Sequence, residues 1–567
     1  MDTTHIDASL ATLSSSKTTW ARLDIHDKIS MLGDLRTRAG RHSTTWVEAA
    51  VKAKGLSMDS PLAGEEWLAG PYGLIDALNA LETTLTQVAT GTDVLSGYKV
   101  FTRTGGQVVV EVSPTSFSDR ILFSGSRAQV WMQPQVTIES LADTIGEFYR
   151  QPLPDGSVCL ILGAGNVASI PPLDVVNKLF NEGQVTLLKM NPVNEYLGEI
   201  FEEIFADFIE AGYVRFVYGG GDVGEYLTSH DDVDAIHITG SAHTYNTIRY
   251  GVGAEGERNR SSDTPINTKP ISAELGGVSP TIVVPGEWSR ADLKFQADNV
   301  VTSKMNNVGF NCIATQVLVL PESWDLKEAF LDEIRNILEG LEDRDAYYPG
   351  AADRCEAVVS GSGVVETFGS EAKRFLVTGL DPTNVYDTAF TTEYFAPALS
   401  VVALPSQDVP SYVAAATAFA NETLSGTLGA SIIVHPKTER AYPAAIDNMV
   451  ESLRYGGIGV NTWSAAVYLT ARCVWGAFPG HVPSDIGSGV GVVHNALMFS
   501  SAQKSVARAP FAPSHRTLSK GEFHIAPKPV FFLSNRQSHV TSRYLVDFTL
   551  SGKTKDLVKV VSSAIRG

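Results

Sequence analysis

Short apolar runs alternate with longer amphipathic stretches between residues 156 and 241, and this is the clearest pattern in the chain. The apolar runs predict four buried strands: "SVCLILGAG", "QVTLLKM", "VRFVYGG" and "DAIHITGS". The stretches between them, "PLDVVNKLFNEG", "EYLGEIFEEIFADFIEAG" and "DVGEYLTSH", have helical periodicity, and the first two stop at glycine. Strands that alternate with helices predict an α/β fold with a doubly wound parallel sheet and right-handed crossovers.

The ends of these strands are the expected ligand site. In doubly wound sheets, ligands bind at the carboxyl ends of the strands. We therefore expect one crevice, wide enough for a nucleotide, to be lined by Gly163 to Asn166, Lys189, Gly219 to Gly221 and Thr239 to Ser241.

A second glycine pattern, "GVGAEG" at Gly251 to Gly256, has the spacing of a dinucleotide-binding fingerprint. That fingerprint requires a strand before it and a helix after it. Here a predicted helix precedes it, and "ERNRSSDTP", which has loop composition, follows it. We therefore interpret this stretch as a plain loop.

Composition narrows the class of protein. The 567 residues are 44% hydrophobic, as in an ordinary globular chain of two or more domains. The net charge of −19 argues against nucleic acid as a partner. Four cysteines are too few for a disulfide framework, which predicts a cytoplasmic location. There is no apolar run of the ~20 residues that span a bilayer, so no membrane association is expected.

The charge is unevenly distributed. From Ser501 to Gly567 there are eleven Lys or Arg and three Asp or Glu, a local charge of +8 that leaves −27 on the first 500 residues. Such asymmetry can mark an interaction tail. Interleaved aromatic and β-branched residues, as in "KPVFFL" and "RYLVDFTL", favour a packed extension instead.

Two stretches contain candidate chemistry. "NNVGFNCIATQVLVLP" places Cys312 between a glycine-containing turn and a predicted strand, Ile313 to Leu320. "ISAELGGVSPTIVV" places Glu274 at an element boundary, 38 positions earlier. A free cysteine is commonly a packed small hydrophobe, and a lone glutamate is commonly a surface or capping carboxylate. The residues alone leave both alternatives open.

Seven short motifs occur in the order expected of one family: "GAGN", "LLKM", "HITGS", "ELGGVSP", "GFNC", "EYFAPALSV" and "GGIGVN". Together they extend over about residues 145 to 465. On these motifs the chain resembles the aldehyde dehydrogenase superfamily. The resemblance implies a doubly wound cofactor domain joined to an α/β catalytic domain.

The resemblance also implies roles for individual residues. Cys312 matches the nucleophile, Glu274 the general base, and Asn166 the amide that stabilises the oxyanion. A thiolate attacks an aldehyde, and the resulting oxyanion needs preorganised hydrogen-bond donors. A carboxylate then activates the water that hydrolyses the thioester. The family's cofactor is NAD or NADP, and no metal is expected. The residues matched to cofactor binding are Lys189, Gly221, Gly240, Ser241, Glu393 and Phe395.

Several positions depart from the family pattern, among them Val278 in place of a lysine after "ELGG" and the poorly matching segment "WGAFPGHVPSDIGSGVG". Three departures bear directly on the nucleophile and the cofactor. Phe310 replaces a common glutamine two residues before the nucleophile, and Tyr245 replaces a glycine, where it would crowd the approach of backbone to phosphate. Pro192 stands three residues after Lys189, where a glutamate often favours NAD. Without that carboxylate, we expect NADP to be tolerated.

The function predicted from the sequence is oxidation of an aldehyde to a carboxylic acid. One alternative is a CoA-acylating aldehyde dehydrogenase or acyl-CoA reductase, and another is a non-catalytic protein that retains the fold. The domains are expected at 1–270 for an N-terminal helical segment and the dinucleotide-binding domain, 271–475 for the catalytic domain, and 476–567 for an extension. This extension would serve oligomerisation or pack against the cofactor domain. The expected partners are a small-molecule aldehyde and further copies of the chain in a homo-oligomer.

Overall fold

A computed structural model describes residues 3–371, 373–514 and 522–567. The strands of these ranges are β1 Lys99–Thr102, β2 Val108–Ser113, β3 Arg127–Met132, β4 Val158–Leu162, β5 Val185–Lys189, β6 Val214–Val217, β7 Ala235–Gly240, β8 Ile271–Leu275, β9 Ser279–Val283, β10 Thr315–Pro321, β11 Val364–Phe368, β12 Arg374–Leu380, β13 Ala398–Leu404, β14 Gly429–Ile433, β15 Gly457–Val460, β16 Gly489–Val490 and β17 Ala502–Arg508. They form two sheets.

The α-helices of the same ranges connect and cover these sheets. In chain order they are α1 Thr4–Ala21, α2 Ile25–Ala53, α3 Ala63–Trp67, α4 Gly73–Thr90, α5 Phe117–Leu122, α6 Ile170–Val176, α7 Gly198–Ile204, α8 Ala206–Glu210, α9 Gly221–Ser229, α10 Ala242–Tyr250, α11 Gly253–Ser261, α12 Arg290–Met305, α13 Lys327–Gly340, α14 Ala351–Val359, α15 Thr388–Thr391, α16 Val409–Glu422, α17 Pro436–Ala441, α18 Pro443–Ser452, α19 Ala465–Tyr468, α20 Ser538–Ser551 and α21 Thr554–Ala564. None of these helices is long and apolar enough to cross a membrane.

The smaller sheet has six strands in the order β16-β8-β7-β4-β5-β6. Its strands run parallel except β16, which is antiparallel to β8. The four strands predicted between residues 156 and 241 are β4 to β7, and the helices predicted between them are α6, α7 with α8, and α9. The prediction of one continuous helix up to Gly212 was wrong in one respect, because the helix is interrupted at Phe205.

The larger sheet has eleven strands in the order β1-β2-β3-β17-β15-β14-β9-β10-β13-β12-β11. Its parallel centre runs from β17 to β12, and antiparallel strands flank it at both ends. The sheets divide the chain differently from the boundaries predicted at 270 and 475. Strand β8 belongs to the smaller sheet, whereas β1 to β3 and β17 belong to the larger one, because pairing joins segments that are far apart in sequence.

The two ends of the chain pack together. Helix α20 lies against α2, α3 and α4, and α2 lies against α7 at the smaller sheet. Leu545, Val546 and Val560 of α20 and α21 are buried in the same apolar core as β4 and β5. In α1, Trp20 is fully buried with its ring centroid 5.4 Å from that of Phe180. The described part of the basic C-terminal segment is therefore largely packed structure, and its residues 515–521 lie outside the described residues.

Candidate active site

A cleft of about 1220 Å³ lies where β4, β5 and β7 end. Its position agrees with the crevice expected from the sequence, since parallel strands end at one edge of the sheet. The cleft is lined by all nine residues that the sequence singled out: Asn166, Lys189, Gly221, Gly240, Ser241, Glu274, Cys312, Glu393 and Phe395.

Lys189 ends β5 at one wall of the cleft and is 8% exposed. Its Nζ donates to the carbonyl of Met190 at 3.3 Å. Burial lowers the pKa of this ammonium, while Glu195 and Asp222 act in the opposite direction. The charge at this wall of the cleft therefore depends on Glu195 and Asp222 as well as on the neutral Pro192.

The next wall contains the starts of two helices. Gly221 is the first residue of α9, and Gly240 and Ser241 precede α10. The Ser241 hydroxyl accepts from the main-chain N–H of Thr244 at 3.1 Å and so caps α10. Helix N-termini present unpaired N–H groups, which suit phosphate.

Tyr245 does not crowd this wall as the sequence suggested. Its side chain is 2% exposed and packs with Ile238, Leu275 and Ile486 in a small apolar cluster. The stretch after Gly251 also differs from its prediction as a loop, because Gly253–Ser261 forms α11. Since α10 and no strand precedes it, the dinucleotide fingerprint is still not formed there.

Cys312 and Glu274 face each other across the catalytic end of the cleft. Glu274 is the second-last residue of β8 and is only 3% exposed, and its Oε1 accepts from Trp475 Nε1 at 3.2 Å. Burial, followed by the charge of Asp174, raises the pKa of Glu274 to about 7, although hydrogen bonds from Trp475 and Cys312 partly oppose this. Burial, and then Glu274 and Glu393, raise the pKa of the Cys312 thiol well above its usual value. The thiol is therefore neutral near pH 7, and the carboxyl group of Glu274 lies beside it.

Asn166 is held by the loop that leads to Cys312. Its Nδ2 donates to the carbonyl of Phe310 at 2.9 Å, and its side chain is largely buried. An amide nitrogen has two N–H groups, so one fixes the orientation and a second remains for a ligand. The Phe310 ring is fully buried against Tyr347, Tyr348 and Phe395, so this departure from the family pattern leaves the cleft open.

Glu393 connects the catalytic end to the cofactor end. Its carboxylate lies directly over Gly276, where an added Cβ would overlap it. Burial raises the pKa of Glu393 to about 8, against the opposing charge of Lys304. Among the described residues, Oε1 of Glu393 has no hydrogen-bond partner. An acceptor that is buried without a partner fits a ligand with hydroxyl groups.

Sequence reasoning missed several residues of this site. Trp475 reaches Glu274 from 201 positions away, and Tyr348 and Arg354 line the cleft opposite the cofactor strands. No local pattern indicates these contacts, because they arise from long-range packing. Trp463 is 5% exposed and donates to the carbonyl of Ile313 at 2.8 Å, so it packs beside the loop of Cys312.

A model of the aldehyde dehydrogenase family matches residues 119–506, which is more than half of the chain. The chain therefore belongs to the aldehyde dehydrogenase family, and the resemblance identified from its motifs is confirmed. A probable aldehyde dehydrogenase from a Pseudomonas species is 29% identical over 148 residues, which are 26% of this chain and 27% of that protein. The chain thus matches about a quarter of that relative's length.

Two solved structures are similar over most of the chain. An NAD-dependent aldehyde dehydrogenase from Sinorhizobium meliloti is 16% identical with a TM-score of 0.57, covering 88% of this chain and 86% of that one. An NADP-dependent glyceraldehyde-3-phosphate dehydrogenase from Bacillus halodurans, complexed with NADP, is 16% identical with a TM-score of 0.56, covering 89% and 91%. These similarities confirm the predicted fold class.

Proposed function

We propose that this protein oxidises an aldehyde to a carboxylic acid with NAD or NADP, through a thioester on Cys312. The main observation behind this proposal is that a thiol, a carboxylate and an oriented amide lie together in the cleft formed by the parallel strand ends. Family membership supports the reaction class.

The cleft fits a nicotinamide dinucleotide. Glu393 has a buried carboxylate oxygen without a partner in the described chain, and Lys189 offers an ammonium on the opposite wall. Glu393 and Lys189 would hold ribose hydroxyls, Phe395 would pack near the nicotinamide ribose, and the phosphates would lie at Gly221, Gly240 and Ser241. When bound, the nicotinamide accepts the hydride that leaves the substrate carbon.

The first task of the protein is to form the thiolate. Because the pKa of Cys312 is raised well above its usual value, the resting thiol keeps its proton at neutral pH. Glu274, with a pKa of about 7, is partly ionised there and interacts with the thiol by a hydrogen bond. We infer that the proton leaves to water in the open cleft as Sγ bonds to the aldehyde carbon, so that Glu274 stays available as the base of the later hydrolysis.

The second task is to stabilise the oxyanion that this attack creates. The second N–H of Asn166 and the main-chain N–H of Cys312 are the proposed donors. Since Phe310 fixes the amide of Asn166 at 2.9 Å, that donor is oriented before the substrate arrives. Such a donor typically contributes ~10²–10³ in rate.

The third task is hydrolysis of the thioester. The ionised carboxylate of Glu274 accepts a proton from water while the water oxygen bonds to the acyl carbon. The C–S bond then breaks, the carboxylic acid leaves, and the sulfur takes the proton from Glu274. A buried carboxylate of this kind supports hydrolysis over transfer to CoA. The open cleft beside Phe310 and Tyr245 argues against a non-catalytic protein.

The proposal is tested by mixing a panel of aldehydes with each cofactor and following absorbance of the reduced nicotinamide. We expect Cys312→Ala to abolish turnover by several orders of magnitude, because it removes a covalent nucleophile. Dinucleotide affinity should stay nearly unchanged. Cys355→Ala is the matched control, since Cys355 is also a partly exposed free cysteine but lies in α14. A loss of less than about tenfold in Cys312→Ala would exclude this cysteine as the nucleophile.

A further inference from the structure

A buried lysine from the N-terminal helical segment reaches the catalytic loops. Lys54 follows α2, and its side chain is 6% exposed. Its Nζ lies 2.7 Å from Glu66 Oε1, whose side chain is 4% exposed, and 3.0 Å from Asn307 Oδ1. Burial by itself would lower the pKa of Lys54, but Glu66, Tyr347 and Tyr196 together outweigh it and the pKa is raised, so the ammonium is charged. A charge this deeply buried requires its partners.

Tyr347 contacts the same acceptors from the other side. Its hydroxyl lies within hydrogen-bond distance of two acceptors that share its single proton, Asn307 Oδ1 at 3.0 Å and the main-chain carbonyl of Asn166 at 3.2 Å. The Lys54 ammonium also lies 5.1 Å from the centre of the Tyr347 ring. Two donors from segments almost 300 residues apart in sequence thus converge on one amide oxygen.

Asn307 connects these hydrogen bonds to the active site. Its Nδ2 donates to the carbonyl of Asn166 at 3.0 Å and to that of Phe310 at 3.1 Å. The carbonyl of Phe310 is also the acceptor that orients the amide of Asn166. Asn307 and Val308 have φ of +52° and +57°, which is unfavourable, above all for β-branched Val308. The hydrogen bonds of Asn307 hold the loop in this conformation five residues before Cys312.

We propose that Lys54, Glu66 and Tyr347 are positioning residues that fix Asn307, and through it the oxyanion amide of Asn166 and the loop of Cys312. The inference rests on the proposed function, because it assigns these residues to the same reaction. Under this proposal, the N-terminal helical segment contributes to catalysis as well as to packing. A displacement of reacting groups by about 1 Å can cost ~10²-fold in rate.

The test uses Tyr347→Phe, which keeps the ring and removes the hydroxyl, and a double variant, Lys54→Met with Glu66→Gln, which removes both buried charges together. Rapid mixing with aldehyde and cofactor gives the rate of the burst, and a titration gives the dinucleotide Kd. We expect the burst to slow about tenfold in Tyr347→Phe and further in the double variant. The change should appear in kcat more than in KM, with the Kd within about twofold of wild type.

Lys28→Met is the matched control. Lys28 is a buried lysine of the same helix, 1% exposed, but it donates to Ala21 and lies over aromatic rings away from the cleft. We expect this variant to lower the melting temperature without slowing the burst. Equal slowing in Lys28→Met and Tyr347→Phe, or burst rates within twofold of wild type in both test variants, would overturn the proposal. If the double variant does not fold, the burst rate of Tyr347→Phe alone tests the proposal.

A second measurement separates this inference from the proposed function. The rate at which iodoacetamide alkylates Cys312 depends on the loop and needs no aldehyde. We expect the rate of alkylation to change at least threefold in Tyr347→Phe, together with its pH dependence. Both should stay unchanged in Lys28→Met. If the wild type reduces neither NAD nor NADP with any aldehyde, the proposed function fails, and alkylation still decides the positioning role. An unchanged alkylation rate together with an unchanged burst would contradict that role.

Discussion

The two sides of the cleft are built in different ways. On the cofactor side, Lys189, Gly221 and Gly240 lie at or next to the ends of parallel strands, so the local pattern places them. On the catalytic side, Cys312, Glu274 and Glu393 come from separate segments joined by tertiary packing. One side can therefore be predicted from periodicity, and the other requires knowledge of the family or the structure. The same division predicts that changes on the catalytic side alter turnover, whereas changes on the cofactor side alter binding.

The largest effect is expected from Glu274→Gln, which keeps the size of the side chain but cannot accept a proton. If Glu274 activates the deacylating water, rapid mixing should show a burst of about one reduced nicotinamide per site. Steady turnover should then fall by about 10²-fold or more, within the range for loss of a general base. Intact-mass analysis should find the acyl group on Cys312.

Added CoA serves as the control for this variant. Under the proposed function, CoA does not restore the steady rate of Glu274→Gln. Restoration by CoA, or a wild-type enzyme that turns over only with CoA, would favour the acylating alternative. A variant with neither burst nor adduct would show that Glu274 is needed earlier, as the base for the Cys312 thiol.

Gly276→Ala tests whether a change beside Glu393, on the catalytic side, also alters dinucleotide binding. The added Cβ would overlap the carboxylate of Glu393, which must then move away from its place in the cleft. Loss of the hydrogen bonds to this buried acceptor is expected to cost about 2 kcal/mol, or about thirtyfold in dinucleotide Kd. A titration followed by nicotinamide fluorescence measures this change.

Alanine variants of two further glycines serve as comparisons for Gly276→Ala. An added Cβ at Gly221 or at Gly340 meets no atom within 4 Å, but Gly221 lines the cleft whereas Gly340 ends α13 on the surface. Gly221→Ala should weaken dinucleotide binding because its methyl group occupies ligand space, and Gly340→Ala should not. If Gly276→Ala binds the dinucleotide as wild type does, Glu393 does not hold the ribose.

The pH dependence of turnover should follow Glu274. Its pKa is raised to about 7, mainly by burial, so the carboxyl is protonated below that pH and loses its function as a base. Turnover should therefore rise with pH through 7, by about tenfold between pH 6 and pH 8, as the ionised fraction rises. Activity that is constant over this range would contradict the assignment, provided that circular dichroism shows a folded enzyme throughout.

The difference between the cofactor side and the catalytic side of the cleft also explains which features could be predicted from the sequence. Strands β4 to β7 followed from continuous apolar runs, and the crevice followed from their parallel order. Cys312 and Glu274 were found through motifs of a known family, because their 38-residue separation has no meaning without the fold. Lys54 and Tyr347 were not found, since a lysine after a helix and a tyrosine in a loop have no local signature. The break at Phe205 and helix α11 show that periodicity alone places helix boundaries poorly.

The smallest effect concerns the choice between NAD and NADP. Pro192 removes one carboxylate, which favours tolerance of NADP, but Glu195 and Asp222 lie close enough to Lys189 to influence its pKa. A 2′-phosphate there would be attracted by one ammonium and repelled by two exposed carboxylates. At low salt we expect NAD to bind about three- to tenfold more tightly, a difference of ~1 kcal/mol that fits partly screened charges.

Asp222→Asn should reduce this preference to about one- to threefold, because it removes one of the two repelling charges while the first turn of α9 keeps a residue of the same size. Calorimetric titration with each dinucleotide measures the ratio without reference to activity. High salt should reduce the wild-type preference in the same direction, since exposed charges are screened within about 10 Å at 0.1 M. Asp325→Asn, which removes an exposed carboxylate before α13, should leave the ratio unchanged. If the wild type binds NADP more tightly than NAD, the carboxylates beside Lys189 do not decide the choice.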